Sequence, residues 1–252
     1  MNGCGASKSV RVNQFGEDAP QREVVAYQYA TYMNKARWTS IWHQIDMVLG
    51  SGARTVLEVG KGAGVLGAVI KQLGLRYSSV DLVADLRPDC VASVTCLPFA
   101  DRSFDAACCF QVLEHLQFSE FEVALAELRR VTRRHVLISL PDSSRVWEFE
   151  FRFSNFVVRR LRIPLPSFWP RRHVFDGEHH WEIGKSGYPL GRIIAIMESG
   201  GLDVVHTFRV PGNPYHRFFL TQIRRRGRAK GDAILQSGSD ERPLFKCNDQ
   251  PS

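Results

Sequence analysis

The chain has 252 residues, of which 44% are hydrophobic, and carries a formal net charge of +7. That length supports one sizeable core with additions better than two full domains. No run approaches the roughly 18 apolar residues of a membrane-spanning helix, and the opening MNGCGASKSVRVNQFGED lacks the apolar core of a secretory signal, so a soluble cytoplasmic protein is expected.

Residues 1–18 read as disordered, residues 19–226 as a single domain, and the polar stretch 227–252 as a disordered tail. A helix is expected between Pro20 and Met33, and a second over SIWHQIDMVLG with Gly50 as its stop. From residue 55 onward short β-rich runs alternate with helical ones. TVLEVG, YSSVDL, DCVASV, FDAACCFQ and HVLISL read as strands, and VLGAVIKQLG and SEFEVALAELRRVT as helices, a pattern that predicts a parallel sheet covered by helices on both faces. After Pro141 the pattern breaks into an insert, residues 143–183, dense in aromatics and arginines. PLGRIIAIMESGG then reads as a helix, and LDVVHTFRV and HRFFLTQI as strands joined by the turn signal PGNP, a hairpin that makes one strand antiparallel.

The six cysteines show no metal-ligand spacing and read as reduced structural thiols, and no metal is expected. The basic runs Arg129 to Arg134, Arg159 to Arg172 and Arg224 to Lys230 read as solvated faces, and nucleic acid is disfavoured as a partner.

The glycines after the first strand fit two registers. Gly62, Gly64 and Gly67 satisfy G-x-G-x-x-G with Asp81 beyond, the dinucleotide fingerprint, yet Gly60 closes the strand two residues too early for it. The alternative E-V-G-K-G-A-G sets Glu58 under the turn, where a carboxylate repels a pyrophosphate and attracts a cationic ligand.

With LPFADRSFD at 97–105 and QVLEHL at 111–116, the E-x-G-x-G-x-G turn and Asp81 form four elements in order over residues 55–141, and the chain resembles the class I S-adenosylmethionine-dependent methyltransferases. The resemblance implies a Rossmann-like, seven-stranded, mostly parallel sheet whose last strand is antiparallel, with S-adenosylmethionine at the carboxyl ends of the first strands. It implies that Glu58, Gly60, Gly62 and Gly64 shape the methionine end of the site, that Asp81 accepts the ribose hydroxyls, and that Leu82 flanks the adenine. Ser93 and the backbone of Val94 stand where an acidic residue often meets the adenine amino group, and Phe110 and Gln111 border the reacting methyl. Lys61 is expected to point to solvent.

Methyl transfer is an in-line displacement that needs a protein base only when the acceptor is a hydroxyl or a protonated amine. His179 and His180, in the run HVFDGEHHWEIG, are candidate bases, with His115 a further one; a polar loop whose members satisfy one another accounts for the same residues. The insert is expected to form a lid helix and loop over the acceptor, or a basic, apolar surface over residues 145–172 that touches the membrane interface to reach a lipid. The expected reaction moves a methyl group to an oxygen or nitrogen of a small-molecule, glycan or lipid-linked acceptor. A nicotinamide-dependent oxidoreductase and a non-catalytic cofactor-binding module are the rival readings.

Overall fold

The two central parallel strands come from the short, largely apolar runs TVLEV and FDAACCF. The computed structural model describes residues 33–153, 157–164 and 171–224. The expected disordered ends, the helix before Met33, and Phe156, Phe168 and Trp169 of the insert lie outside them. The described chain runs α1 (Lys35–Gly50), β1 (Thr55–Val59), α2 (Val65–Gln72), β2 (Arg76–Asp81), β3 (Cys90–Val91), β4 (Phe104–Phe110), α3 (Phe121–Val131), β5 (Thr132–Pro141), β6 (Val146–Phe153), β7 (Val157–Pro164), α4 (Leu190–Ser199), β8 (Leu202–Val210) and β9 (Asn213–Ile223).

The main sheet has seven strands in the order β3-β2-β1-β4-β5-β9-β8. Strands β1 to β5 pair in parallel, and β9 runs antiparallel to both β5 and β8. The order reverses direction at β1, which lies between β2 and β4, so the carboxyl ends of β1 and β4 flank the crevice where ligands bind in such sheets.

The two-residue period of β4 divides the core. Ala106, Cys108 and Phe110 pack with Val56, Met47 and Val48 of α1, Leu66 and Ile70 of α2, and Phe218. Ala107 and Cys109 pack on the other face with Leu57, Leu125 and Leu128 of α3, and Ile193 and Met197 of α4. Among the described residues Cys90, Cys108 and Cys109 are free thiols.

Three elements differ from expectation, each for a local reason. Helix α1 starts five residues earlier than Ser40 because the Asn34 side chain caps it, accepting the Arg37 N–H at 3.0 Å. Strand β3 keeps only Cys90–Val91 of DCVASV, because Ser93 folds the chain into a turn: its hydroxyl accepts the Thr95 N–H and its carbonyl accepts the Cys96 N–H. The insert contains no helix among its described residues. VWEFEFRF and VVRRLRIP instead pair as an antiparallel ribbon, from Val146 opposite Pro164 to Phe153 opposite Val157, as their two-residue alternation favours.

Asp142, just past β5, fastens the insert's ends to the sheet. It is 1% exposed and its carboxylate accepts from Arg217 Nε at 2.6 Å and from the Ser144 N–H at 2.9 Å, with Arg209 Nη2 at 3.3 Å. Arg209 also donates to the Asp142 and Ser144 carbonyls, and Asp142 bridges to Ile183. Removing the carboxylate leaves two guanidinium groups without their buried anion. Asp142→Ala is expected to lower unfolding stability in urea by about 3–5 kcal/mol, whereas Asp105→Ala, at a more exposed ion pair, costs less.

Candidate active site

Strand β1 ends in a turn that no side chain fits. Gly60 has φ +82° and its N–H donates to the Val80 carbonyl at 2.8 Å, and a Cβ there would overlap the Val112 side chain beyond the end of β4. The close approach therefore requires glycine. Gly62 and Gly64 follow with positive φ, and Gly64 starts α2.

Below the turn, Glu58 is 6% exposed and accepts a hydrogen bond from the Tyr77 hydroxyl. Burial pushes its carboxyl up to about 7, against the opposing effects of Tyr77 and Lys61. Gly67 makes room for that partner, since a Cβ on it would overlap the Tyr77 ring. The third glycine of the G-x-G-x-x-G spacing thus serves helix-to-strand packing.

Across the turn, Asp81 Oδ2 accepts the Gly62 N–H at 3.3 Å and Oδ1 accepts the Val83 N–H at 3.0 Å. Beyond it Leu82 and Val83 are apolar and exposed, at 63% and 41%. Lys61 is not a solvent-pointing residue: its Nζ donates to the carbonyls of Leu86 at 2.7 Å and Arg87 at 2.6 Å, tying the glycine turn to the loop after β2. Those two carbonyls face the turn and give the ammonium acceptors close at hand.

Glu58, Gly60, Gly62, Gly64, Phe110 and Gln111 line one open cleft, roofed by Met33, Arg37, Ser40, Ile41 and Gln44 from α1 and its approach. Gln111 has φ +56°, a conformation that costs free energy in a non-glycine residue, and is held there by Ser139, whose carbonyl accepts the Gln111 N–H and whose hydroxyl accepts from Nε2. Asp81 and Leu82 adjoin this cleft through Gly62, while Ser93 and Val94 are not among its walls. The Ser93 hydroxyl is engaged with Thr95 at 2.7 Å, and the Val94 side chain is core, at 4% exposed.

Residues 57–140 match the family model described as a methyltransferase domain. Those residues make up a methyltransferase domain. No curated protein matches its sequence. Among solved structures, an S-adenosylmethionine-dependent methyltransferase from Clostridium acetobutylicum is 9% identical, with 81% of this chain and 98% of that chain covered at a TM-score of 0.52. The magnesium protoporphyrin IX methyltransferase from Synechocystis, solved with S-adenosylhomocysteine, is 13% identical over 81% of this chain and 100% of that one, at 0.51. A Pyrococcus horikoshii protein, PH0226, is 13% identical over 82% and 100%, at 0.52. At these identities the likeness is one of fold.

The donor set of the methyltransferase fits its cofactor. Glu58 offers a buried carboxyl that a cationic amino acid end would meet, Asp81 retains acceptor lone pairs that a diol would use, and Leu82 and Val83 are an exposed apolar pair.

Past Gln111 the chain makes a tight turn, Leu113–His115, that brings two of the three candidate bases together. The His115 and His179 rings lie 5.1 Å apart, whereas His180 stacks on Phe175 at 4.5 Å, away from the pair. Glu114 between them is fully buried, neither of its oxygens has a hydrogen-bond partner among the described residues, and burial pushes its carboxyl up to about 8. His179 Nδ1 donates to Glu182 Oε1 at 3.2 Å, and Tyr215 donates to the same oxygen at 2.5 Å. These bonds, His179 first, hold the Glu182 carboxyl down to about 2.

Sequence reasoning missed Tyr77, Tyr215 and His216. His216 lines the cleft at 6% exposed, its Nδ1 makes no hydrogen bond among the described residues, and burial pushes its imidazole down to about 4. Its neighbours in NPYHRFF were legible, but its position opposite Pro141 follows only from the β5–β9 register.

A raised carboxyl keeps its proton in the folded methyltransferase at pH values where the unfolded chain has lost it. Stability therefore falls as pH rises from about 4.5 to about 7 through Glu58 and is flat above. Glu58→Gln, which still accepts from Tyr77, is expected to remove this component, on the order of 3 kcal/mol between the two ends, in urea unfolding compared with the parent across that window.

Proposed function

We propose that the protein transfers the methyl group of S-adenosylmethionine to an oxygen or nitrogen of a small-molecule acceptor. The cofactor supplies an electrophilic methyl carbon on a sulfonium. One observation carries the acceptor side of this reading: the cleft over Glu58, Gly60 and Gln111 includes His216, whose ring lies 6.1 Å from that of Tyr215, and Tyr215, Glu182 and His179 are hydrogen-bonded to one another with the His115 ring 5.1 Å from His179.

Glu58, with Gly60, Gly62 and Gly64, binds the methionine end, and Asp81 binds the ribose. Phe110 and the strained Gln111 border the transferring methyl and exclude water from it. Arg37 and His216, one from the roof and one from β9, orient the acceptor between them. The acceptor's proton-bearing atom is activated at His115 and His179, not at His180.

The aromatic and basic insert that follows β5 supports an acceptor with a bulkier remainder, glycan or lipid-linked, including contact of residues 145–172 with a membrane surface. No helix among the described residues is long and apolar enough to cross a membrane.

S-adenosylhomocysteine at 100 times its dissociation constant is expected to add about 2.7 kcal/mol and raise the melting temperature by about 2–4 °C, a shift that Asp81→Ala abolishes. Stabilisation by NADH alone would contradict the reading. Once an acceptor is found by screening, His179→Ala is expected to lower kcat by about 10²–10⁴ with cofactor binding intact, and His180→Ala to leave kcat close to the parent's; equal losses in both would refute the assignment.

A further inference from the structure

Glu114 poses a problem that the methyl-transfer reading leaves open. A carboxylate buried at 0% exposure with both oxygens unpartnered is a costly arrangement, and no side chain of the described protein satisfies it. Its neighbours suggest what does. One ligand atom each from Glu114, His115 and His179 lie within 4.8 Å of one another.

Both imidazoles are already fixed at one nitrogen. His115 Nδ1 donates to the Glu178 carbonyl at 2.9 Å, and His179 Nδ1 donates to Glu182 Oε1 at 3.2 Å. The tautomers assigned by these partners leave each Nε2 with its lone pair. A histidine held at one nitrogen by a carbonyl or carboxylate while the other is free is the usual outer support of a metal-bound imidazole. Glu182 is itself held by Tyr215 and by Lys185 at 3.6 Å, so the support extends a further layer.

We propose that Glu114, His115 and His179 bind one divalent transition-metal ion. Two imidazoles and a carboxylate match the preference of Zn²⁺ and its first-row neighbours, not that of Ca²⁺ or Mg²⁺, which favour all-oxygen sets. Because His115 is exposed, the ion keeps open positions toward solvent. The site deepens the proposed function by giving the His115–His179 pair a means of activating an acceptor oxygen. The binding itself stands independently of that reading.

A competing cluster, Asp176, His179 and Glu182, shares His179. It is the weaker one, because Asp176 is spent on the N–H groups of Glu178 and His179, and Glu182 on Tyr215 and His179.

The test is titration of the full chain, freed of metal by a chelator, with Co²⁺ followed by visible absorption and with Zn²⁺ followed by calorimetry. One equivalent is expected to bind. Binding should be lost in Glu114→Gln and in His115→Gln, weaken about 10- to 100-fold in Glu182→Gln, and persist in Asp176→Asn. His115 is exposed, so its variant reports even if Glu114→Gln fails to fold. Absence of saturable binding to the parent chain, or retention in His115→Gln, would overturn the site. S-adenosylhomocysteine binding, measured on the same metal-free sample, reports separately on the methyltransferase reading.

Discussion

The contact between Gly60 and Val112 sets the geometry of the whole site. With no Cβ in the way, the end of β1 lies against the segment that follows β4, and the two strand ends share one crevice. Gln111 is pressed into a left-handed backbone conformation and held by Ser139, and the next turn carries Glu114 and His115 to the edge of the sheet. A larger residue at Gly60 would separate the cofactor turn from the acceptor side.

The second constraint is electrostatic. Burying Glu58 under the turn is unfavourable for its charge, and the fold tolerates it with one hydroxyl partner, Tyr77, made possible by the bare Cα of Gly67. A cationic ligand end would give Glu58 a second partner. Lys61, whose charge also acts on Glu58, spends its hydrogen bonds on the two carbonyls after β2.

Much of the architecture was legible because burial and strand period agree. In FDAACCF and TVLEV successive residues face opposite sides of the sheet, and both faces are covered, so the runs read as apolar apart from Asp105 and Glu58. The glycine turn was legible because backbone conformation demands its residue types. What escaped reading depends on contacts far apart in sequence. Asp142 meets Arg209 and Arg217 only because β9 returns beside β5, and Tyr215 and His216 reach the site by the same register. Of three candidate histidines in sequence, packing alone separates His179, turned toward His115, from His180, turned onto Phe175. The ribbon in the insert was visible as alternation in VWEFEFRF but was outweighed by its aromatic and basic composition.

The central claim is that a nucleoside cofactor lies along the glycine turn and the end of β2. Hydrogen exchange of the full chain with and without S-adenosylhomocysteine addresses it most directly, peptide by peptide. The account predicts slowed exchange across residues 60–66 and 81–87, where the turn N–H groups and the Lys61-tied loop lie, with β6 and β7 unchanged. Unaltered exchange in both segments with a saturating amount of ligand would contradict it.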